Sequence, residues 1–193
     1  MKFIGFYSYT VILTYLSLVS GLLGITLSSQ GKFSWAIGCL AFSGLCDMFD
    51  GTVARTKKNR TADEKNFGIQ IDSLCDVICF GVLPGIYLYF AGLNTPWGIA
   101  IVIFYVLCAL IRLAFFNVIE TKRQETEDGC AKSYRGLPVT SSAIVFPAVF
   151  LIGLLLSENA LLIVHHIVPV LMGFLFIADF CVPKIDISKL FRK

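Results

Sequence analysis

The chain has 193 residues, 56% of them hydrophobic and only 15% charged, with a net charge of +3 and a mean hydropathy of +0.79. A soluble domain carries roughly 25% charged residues, so a chain this short and apolar lacks the polar surface to cover a water-facing globule and reads as one membrane domain over residues 1–193. The small positive charge sits on no soluble basic face, which argues against nucleic acid as a partner, and the seven cysteines show no C-x-x-C spacing of the kind that builds zinc sites.

A spanning helix needs about 20 mostly apolar residues, and six segments meet that need in chain order. The first, 9–28, ends at the turn Ser28-Ser29-Gln30-Gly31. Its start carries one lysine among aromatics and no small-x-small site follows, so it reads as a span rather than a cleavable leader. The second, 33–55, and the third, 67–91, flank a polar run. The fourth, 96–119, follows Asn94-Thr95-Pro96, where proline suits a first helical turn. The fifth, 137–156, and the sixth, 161–181, are separated by Ser157-Glu158-Asn159.

Lysine and arginine fix the orientation of such a bundle, because cytoplasmic loops carry the excess. Arg55, Lys57, Lys58, Arg60 and Lys65 lie between segments two and three. Lys122, Arg123, Lys132 and Arg135 lie between four and five, and Lys184, Lys189, Arg192 and Lys193 follow six. Lys32 alone lies on the opposite side. The expected fold is therefore all-α and polytopic, with six transmembrane helices and both termini cytoplasmic.

Four aspartates interrupt the apolar pattern, and ionisable groups inside a membrane span mark functional sites by default. Asp47 and Asp50 are three residues apart and Asp72 and Asp76 four apart, spacings that place each pair on one helix face. Two adjacent helices then turn four carboxylates toward one space. Like charges so placed need cations, and hard oxygen ligands select Mg²⁺ or Mn²⁺, with two ions able to clamp a pyrophosphate. Gly51 and Gly68 permit close approach beside these pairs, and Arg55, one turn beyond Gly51, suits a phosphate. His165-His166, neighbours about 100° apart on a helix, do not face one ion and read as interfacial polar residues. Asp179 is expected near the end of the sixth helix, with Lys184 as a partner.

Read as one string, Asp47-x2-Asp50-Gly51-x2-Ala54-Arg55, twelve residues, then Gly68-x3-Asp72-x3-Asp76 closely resembles the signature of the CDP-alcohol phosphotransferases, in which the spacer has eight. The longer spacer falls in the polar run 57–66, where insertion is cheap. The resemblance implies a homodimer of six-helix chains in the cell membrane, with the site open to the cytoplasm. It implies a metal set of Asp47, Asp50 and Asp72 with Asp76 also at the metals, that Asp76 is the general base for an acceptor hydroxyl, and that Gly51, Ala54 and Arg55 lie against the CDP moiety. Gly68 is placed in the same CDP-binding set.

The acceptor follows from a narrower likeness. Residues 71–84, Ile-Asp-Ser-Leu-Cys-Asp-Val-Ile-Cys-Phe-Gly-Val-Leu-Pro, resemble the D-S-L-A-D-x-x-x-F-G-V-x-P pattern of bacterial and archaeal phosphatidylserine synthases. Arg112-Leu113-Ala114-Phe115-Phe116-Asn117 is similar to their R-L-A-R-F-N, with Phe115 at the second arginine, and Gly136-Leu137-Pro138 to their G-L-P. Thr14-x2-Ser17-x3-Gly21 resembles their T-x2-N-x3-G, with serine for asparagine, which adds Thr14 and Ser17 to the CDP-binding set. The implied reaction moves a phosphatidyl group from CDP-diacylglycerol to L-serine, giving phosphatidylserine and CMP among membrane lipids. Serine carries a carboxylate, and Arg112, within a span, and Arg135, at a helix entrance, are its candidate partners. Asn117 joins them as an acceptor-binding candidate. Glycerol 3-phosphate or inositol phosphate as acceptor would need more positive charge than one intramembrane arginine. Outside this class, a cation transporter also places acids in a membrane, but with repeats and broken helices near the midplane.

Overall fold

The computed structural model describes residues 5–57, 61–125 and 133–183, with Arg55 and residues 121–125, 133–135 and 181–183 described by backbone alone. Ser8 caps a 3-10 turn, Tyr9–Val11, by accepting from the Thr10 N–H, and the turn runs into α1, Ile12–Ser29. α1 stops because Gly31 adopts φ +71°, a left-handed conformation only glycine enters freely, which lets Lys32 N–H reach back to the Leu27 carbonyl at 2.9 Å. The chain reverses into α2, Phe33–Thr56, antiparallel to α1 and packed along its length.

The α1–α2 seam is built for close approach. Ser20 Oγ donates to the Cys39 carbonyl at 2.9 Å, and Ser43 Oγ to the Ser17 carbonyl at 3.0 Å. In a bilayer, lipid tails are as apolar as leucine, so small residues and interhelical hydrogen bonds carry association. Gly44 meets Ala143 so closely that a Cβ there has no room.

α3, Ala62–Asp76, begins with a capping box in which Glu64 N–H reaches Thr61 Oγ1 at 3.1 Å and Thr61 N–H reaches Glu64 Oε2 at 3.3 Å. Lys57 Nζ, just past α2, pairs with Glu64 Oε1 at 3.0 Å. α3 continues through a π-helical turn, Val77–Val82, into α4, Leu83–Phe90. α5, Pro96–Glu125, is about 45 Å long at 1.5 Å per residue, longer than the ~30 Å hydrocarbon core. A turn at Val139–Ser141 leads into α6, Ser142–Gly153, and α7 spans Glu158–Ile177.

Five helical stretches are long and apolar enough to cross a membrane: Tyr9–Ser29, Phe33–Ala54, Ala62–Phe90, Pro96–Glu120 and Glu158–Ile177. The fifth expected span, 137–156, forms the shorter apolar helix Val139–Gly153. Trp35 and Trp97, 72% and 82% exposed, sit in the first turns of α2 and α5, as interfacial tryptophans do. The bundle core gathers Leu40, Phe80, Leu83, Leu88, Tyr105, Phe146 and Phe176.

Three details depart from the sequence reading. The sixth helix ends at Ile177, and the chain then pairs Cys181–Pro183 (β2) antiparallel to Ser133–Arg135 (β1), with Tyr134 opposite Val182. Asp179 therefore lies beyond the helix, and Lys184, its expected partner, lies outside the described residues. His165 is not interfacial: it is 2% exposed and packs edge-on against Tyr87, whereas His166 is exposed and bonds to the Leu162 carbonyl at 2.8 Å.

Candidate functional site

The last turns of α2 and the middle of α3 bring Asp47, Asp50 and Asp72 together, with one carboxylate oxygen of each within 4.8 Å of the others. All three are half-buried. The i, i+3 spacing of Asp47 and Asp50 aims both from one face of α2, and α3 presents Asp72 from across the interface. Two unit charges no farther apart than that repel by at least about 3.5 kcal/mol at an effective dielectric of ~20, and three pairs share the space. Among the described residues no lysine or arginine forms an ion pair with them; Lys57 pairs instead with Glu64. An all-carboxylate, all-oxygen set with uncompensated charge fits a hard divalent cation.

Asp76, one turn beyond Asp72, is 8% exposed and lies outside the trio whose oxygens converge. Thr14 Oγ1 donates to Asp50 Oδ2 at 3.4 Å, so α1 supplies a donor that orients a trio member. Ser17, one turn deeper, is 3% exposed and committed to packing: its Oγ donates to the Ser43 carbonyl at 3.3 Å and contacts Cys79 Sγ at 3.6 Å. That placement gives Ser17 a helix-joining part rather than an open ligand contact. Gly51 faces open space, with nothing within 4 Å of where a Cβ would stand. Ala54 is half-buried on the next turn of α2, and Gly68 is half-buried one turn before Asp72. The side chains of Arg55 and Arg135 lie outside what is described.

Arg112, on α5, is 7% exposed. Its Nε donates to the Leu137 carbonyl at 3.4 Å and its guanidinium carbon stands 5.9 Å from the Phe116 ring centroid. No carboxylate among the described residues pairs with it. Asn117, five residues on, accepts from Ser73 Oγ at 2.7 Å and donates from Nδ2 to Gln70 Oε1 at 3.4 Å. The amide thus bolts α5 to the helix that carries Asp72, and its bonding capacity is turned toward α3. Gln70 and Ser73 were not singled out as site residues by the sequence, although Ser73 is the serine of the D-S-L-A-D pattern.

With this geometry in place, the comparisons with known proteins agree on a class. The profile of the CDP-alcohol phosphatidyltransferase family matches residues 8–177, and the chain belongs to that family. It is 33% identical over 186 residues to the archaetidylserine synthase of Methanothermobacter thermautotrophicus, covering 96% of this chain and 73% of the relative. It is 31% identical over 171 residues to the CDP-diacylglycerol–serine O-phosphatidyltransferase of Methanocaldococcus jannaschii, covering 89% and 71%. The enzyme of the same name from Saccharomyces cerevisiae is 32% identical over 146 residues, 74% of this chain and 48% of the relative. No solved structure matches. The chain is therefore a multi-pass membrane enzyme of this family, which sets aside the transporter reading.

Proposed function

We propose that this enzyme transfers a phosphatidyl group from CDP-diacylglycerol to L-serine, releasing CMP, and that the transfer depends on Mg²⁺ or Mn²⁺. The observation that carries the reading is the uncompensated trio Asp47, Asp50 and Asp72, with Asn117 of α5 bonded to Ser73 on the helix that carries Asp72. Relatives named for serine transfer support the acceptor. The whole chain acts as one membrane domain of six spans, with Val139–Gly153 as the shortest. It works as a homodimer in the cell membrane, with the site facing the cytoplasm, where the basic loops gather.

In this reading Asp47, Asp50 and Asp72 would hold two ions, which would supply positive charge for the pyrophosphate of the donor. Thr14 keeps Asp50 turned into the trio. Gly51 leaves room for the nucleotide, and Ala54, Arg55 and Gly68 line the same side. Arg112, joined by Arg135, receives the carboxylate of serine through forked donors. Asp76 takes the serine hydroxyl proton as that oxygen bonds to the phosphatidyl phosphorus and the phosphorus–oxygen bond to CMP breaks. An alcohol is a weak nucleophile near neutral pH, so the proton acceptor must stand beside it.

The test is CMP release by purified protein in detergent with CDP-diacylglycerol and Mn²⁺ or Mg²⁺, offering serine, glycerol 3-phosphate, inositol phosphate or no acceptor. Serine-dependent release that disappears with chelator and with Asp76→Asn supports the proposal. Release with a different acceptor alone refutes serine and leaves the family intact.

A further inference from the structure

The rod formed by α3 and α4 changes its winding immediately after Asp76. The cause lies in Pro84. It has no N–H for the Phe80 carbonyl four residues back, and its ring crowds that carbonyl. A wider π turn relieves both, with Leu83 N–H reaching the Ile78 carbonyl five residues back. The Phe80 carbonyl is met from another helix, by Tyr105 Oη at 2.6 Å.

Tyr105 is fully buried, its ring between Phe146 and Phe176. Its hydroxyl also lies 2.8 Å from Ser142 Oγ, which is 2.7 Å from the Val139 carbonyl. Tyr105 Oη donates to the Phe80 carbonyl and Ser142 Oγ to the Val139 carbonyl, which Ser142 N–H also reaches, and the two hydroxyl oxygens lie side by side. The contacts run from Ser142 to Tyr105 to Phe80, across α6, α5 and the π turn.

The turn decides where the aspartates point. A π turn accommodates about one extra residue, and one residue is ~100° of rotation on an α-helix. α4 is anchored beyond it, with Leu83, Tyr87 and Leu88 buried and the helix packed on α1 and α5. The azimuth of Asp72 and Asp76 against that anchor is therefore set by whether the turn is open.

We propose that Tyr105 is a positioning residue for the transfer reaction: by holding the Phe80 carbonyl it keeps the π turn open and aims Asp72 at Asp47 and Asp50. The proposal rests on the metal-site reading above, and two readouts separate their failures. One is Mn²⁺ binding to the purified, lipid-free protein by electron paramagnetic resonance, and the other is kcat for CMP release.

Tyr105→Phe keeps the ring and removes the hydroxyl. Its Mn²⁺ affinity is expected to fall about tenfold and kcat about 10- to 100-fold, the scale of a misplacement near 1 Å. KM for CDP-diacylglycerol changes far less. Ser142→Ala leaves Tyr105 its own hydrogen and shows the same pattern at about two- to fivefold. Pro84→Ala supplies an N–H that competes for Phe80, closes the turn and weakens Mn²⁺ binding without lowering Tm. Folded Tyr105→Phe with Mn²⁺ affinity and kcat like the parent overturns the proposal. If Tyr105→Phe does not fold, unchanged Mn²⁺ affinity in both Ser142→Ala and Pro84→Ala overturns it. A parent protein that binds no Mn²⁺ overturns the metal-site reading itself, and the proposal with it.

Discussion

Removing the charge of Arg112 should separate stability from activity in opposite directions. The side chain is 7% exposed, bonded to one carbonyl at 3.4 Å and set over Phe116. Arg112→Met keeps most of the volume. It loses about 1 kcal/mol for the hydrogen bond and about 0.5–1 kcal/mol for the ring contact. Against that, a buried charge without a carboxylate beside it costs several kcal/mol, which the substitution relieves. Tm in detergent should hold or rise. Activity should fall, because each hydrogen bond to a charged group contributes about 1.5–3 kcal/mol, and one such bond lost to serine is roughly a 10- to 150-fold drop in kcat/KM. The loss should appear as a raised KM for serine, with KM for CDP-diacylglycerol unchanged, in CMP-release assays across serine concentrations. Arg112→Lys, a point charge without the fork, should fall between. A variant with the parent's KM for serine refutes the assignment, and a collapse in Tm shows that the charge was compensated within the protein.

Asp50→Asn removes a trio member and leaves Thr14 Oγ1 a neutral partner; Mn²⁺ binding should weaken by at least about tenfold, with CMP release falling in parallel. Asn117→Ala cuts the bonds to Ser73 and Gln70, so thermal unfolding should show about 1–3 kcal/mol lost, and a Ser73→Ala Asn117→Ala pair should be less than additive. Thr61→Ala opens the capping box and should cost about 1 kcal/mol, read as increased hydrogen exchange in the first turn of α3 with Mn²⁺ affinity unchanged. Gly44→Val drives a branched side chain into Ala143, and the protein should fail to run as a folded species on size exclusion.

The family relationship bears on how these tests are read. Relatives that share the chain's length over 71–73% of their own are named for archaeal and diacyl lipids alike. Their names share serine, and the proposed acceptor is supported by that shared feature rather than by the tails.

Much of this was written in the linear order of residues. Apolar runs of about twenty residues have one stable fate in lipid, where every backbone group must be satisfied within its own helix, and five of the six segments lie in helices long and apolar enough to cross a membrane, close to their expected bounds. The aspartate pairs were legible because helical periodicity alone puts i, i+3 and i, i+4 side chains on one face, and because acids inside a span have no bland reason to be there. Tertiary structure decided what depends on partners distant in sequence. Which oxygens converge is a property of two helices: Asp47, Asp50 and Asp72 meet, while Asp76 stands a turn away. Ser17 looked like a ligand contact in sequence and became a packing hydroxyl, since only the approach of Ser43 and Cys79 gave it partners. Pro84 disturbs its helix, and nothing nearby in sequence said that Tyr105 would meet the freed Phe80 carbonyl. Local propensity and solvent preference act within a few residues and can be read from them. Rotation, register and the meeting of side chains are set by contacts across the bundle, and exist only once it has closed.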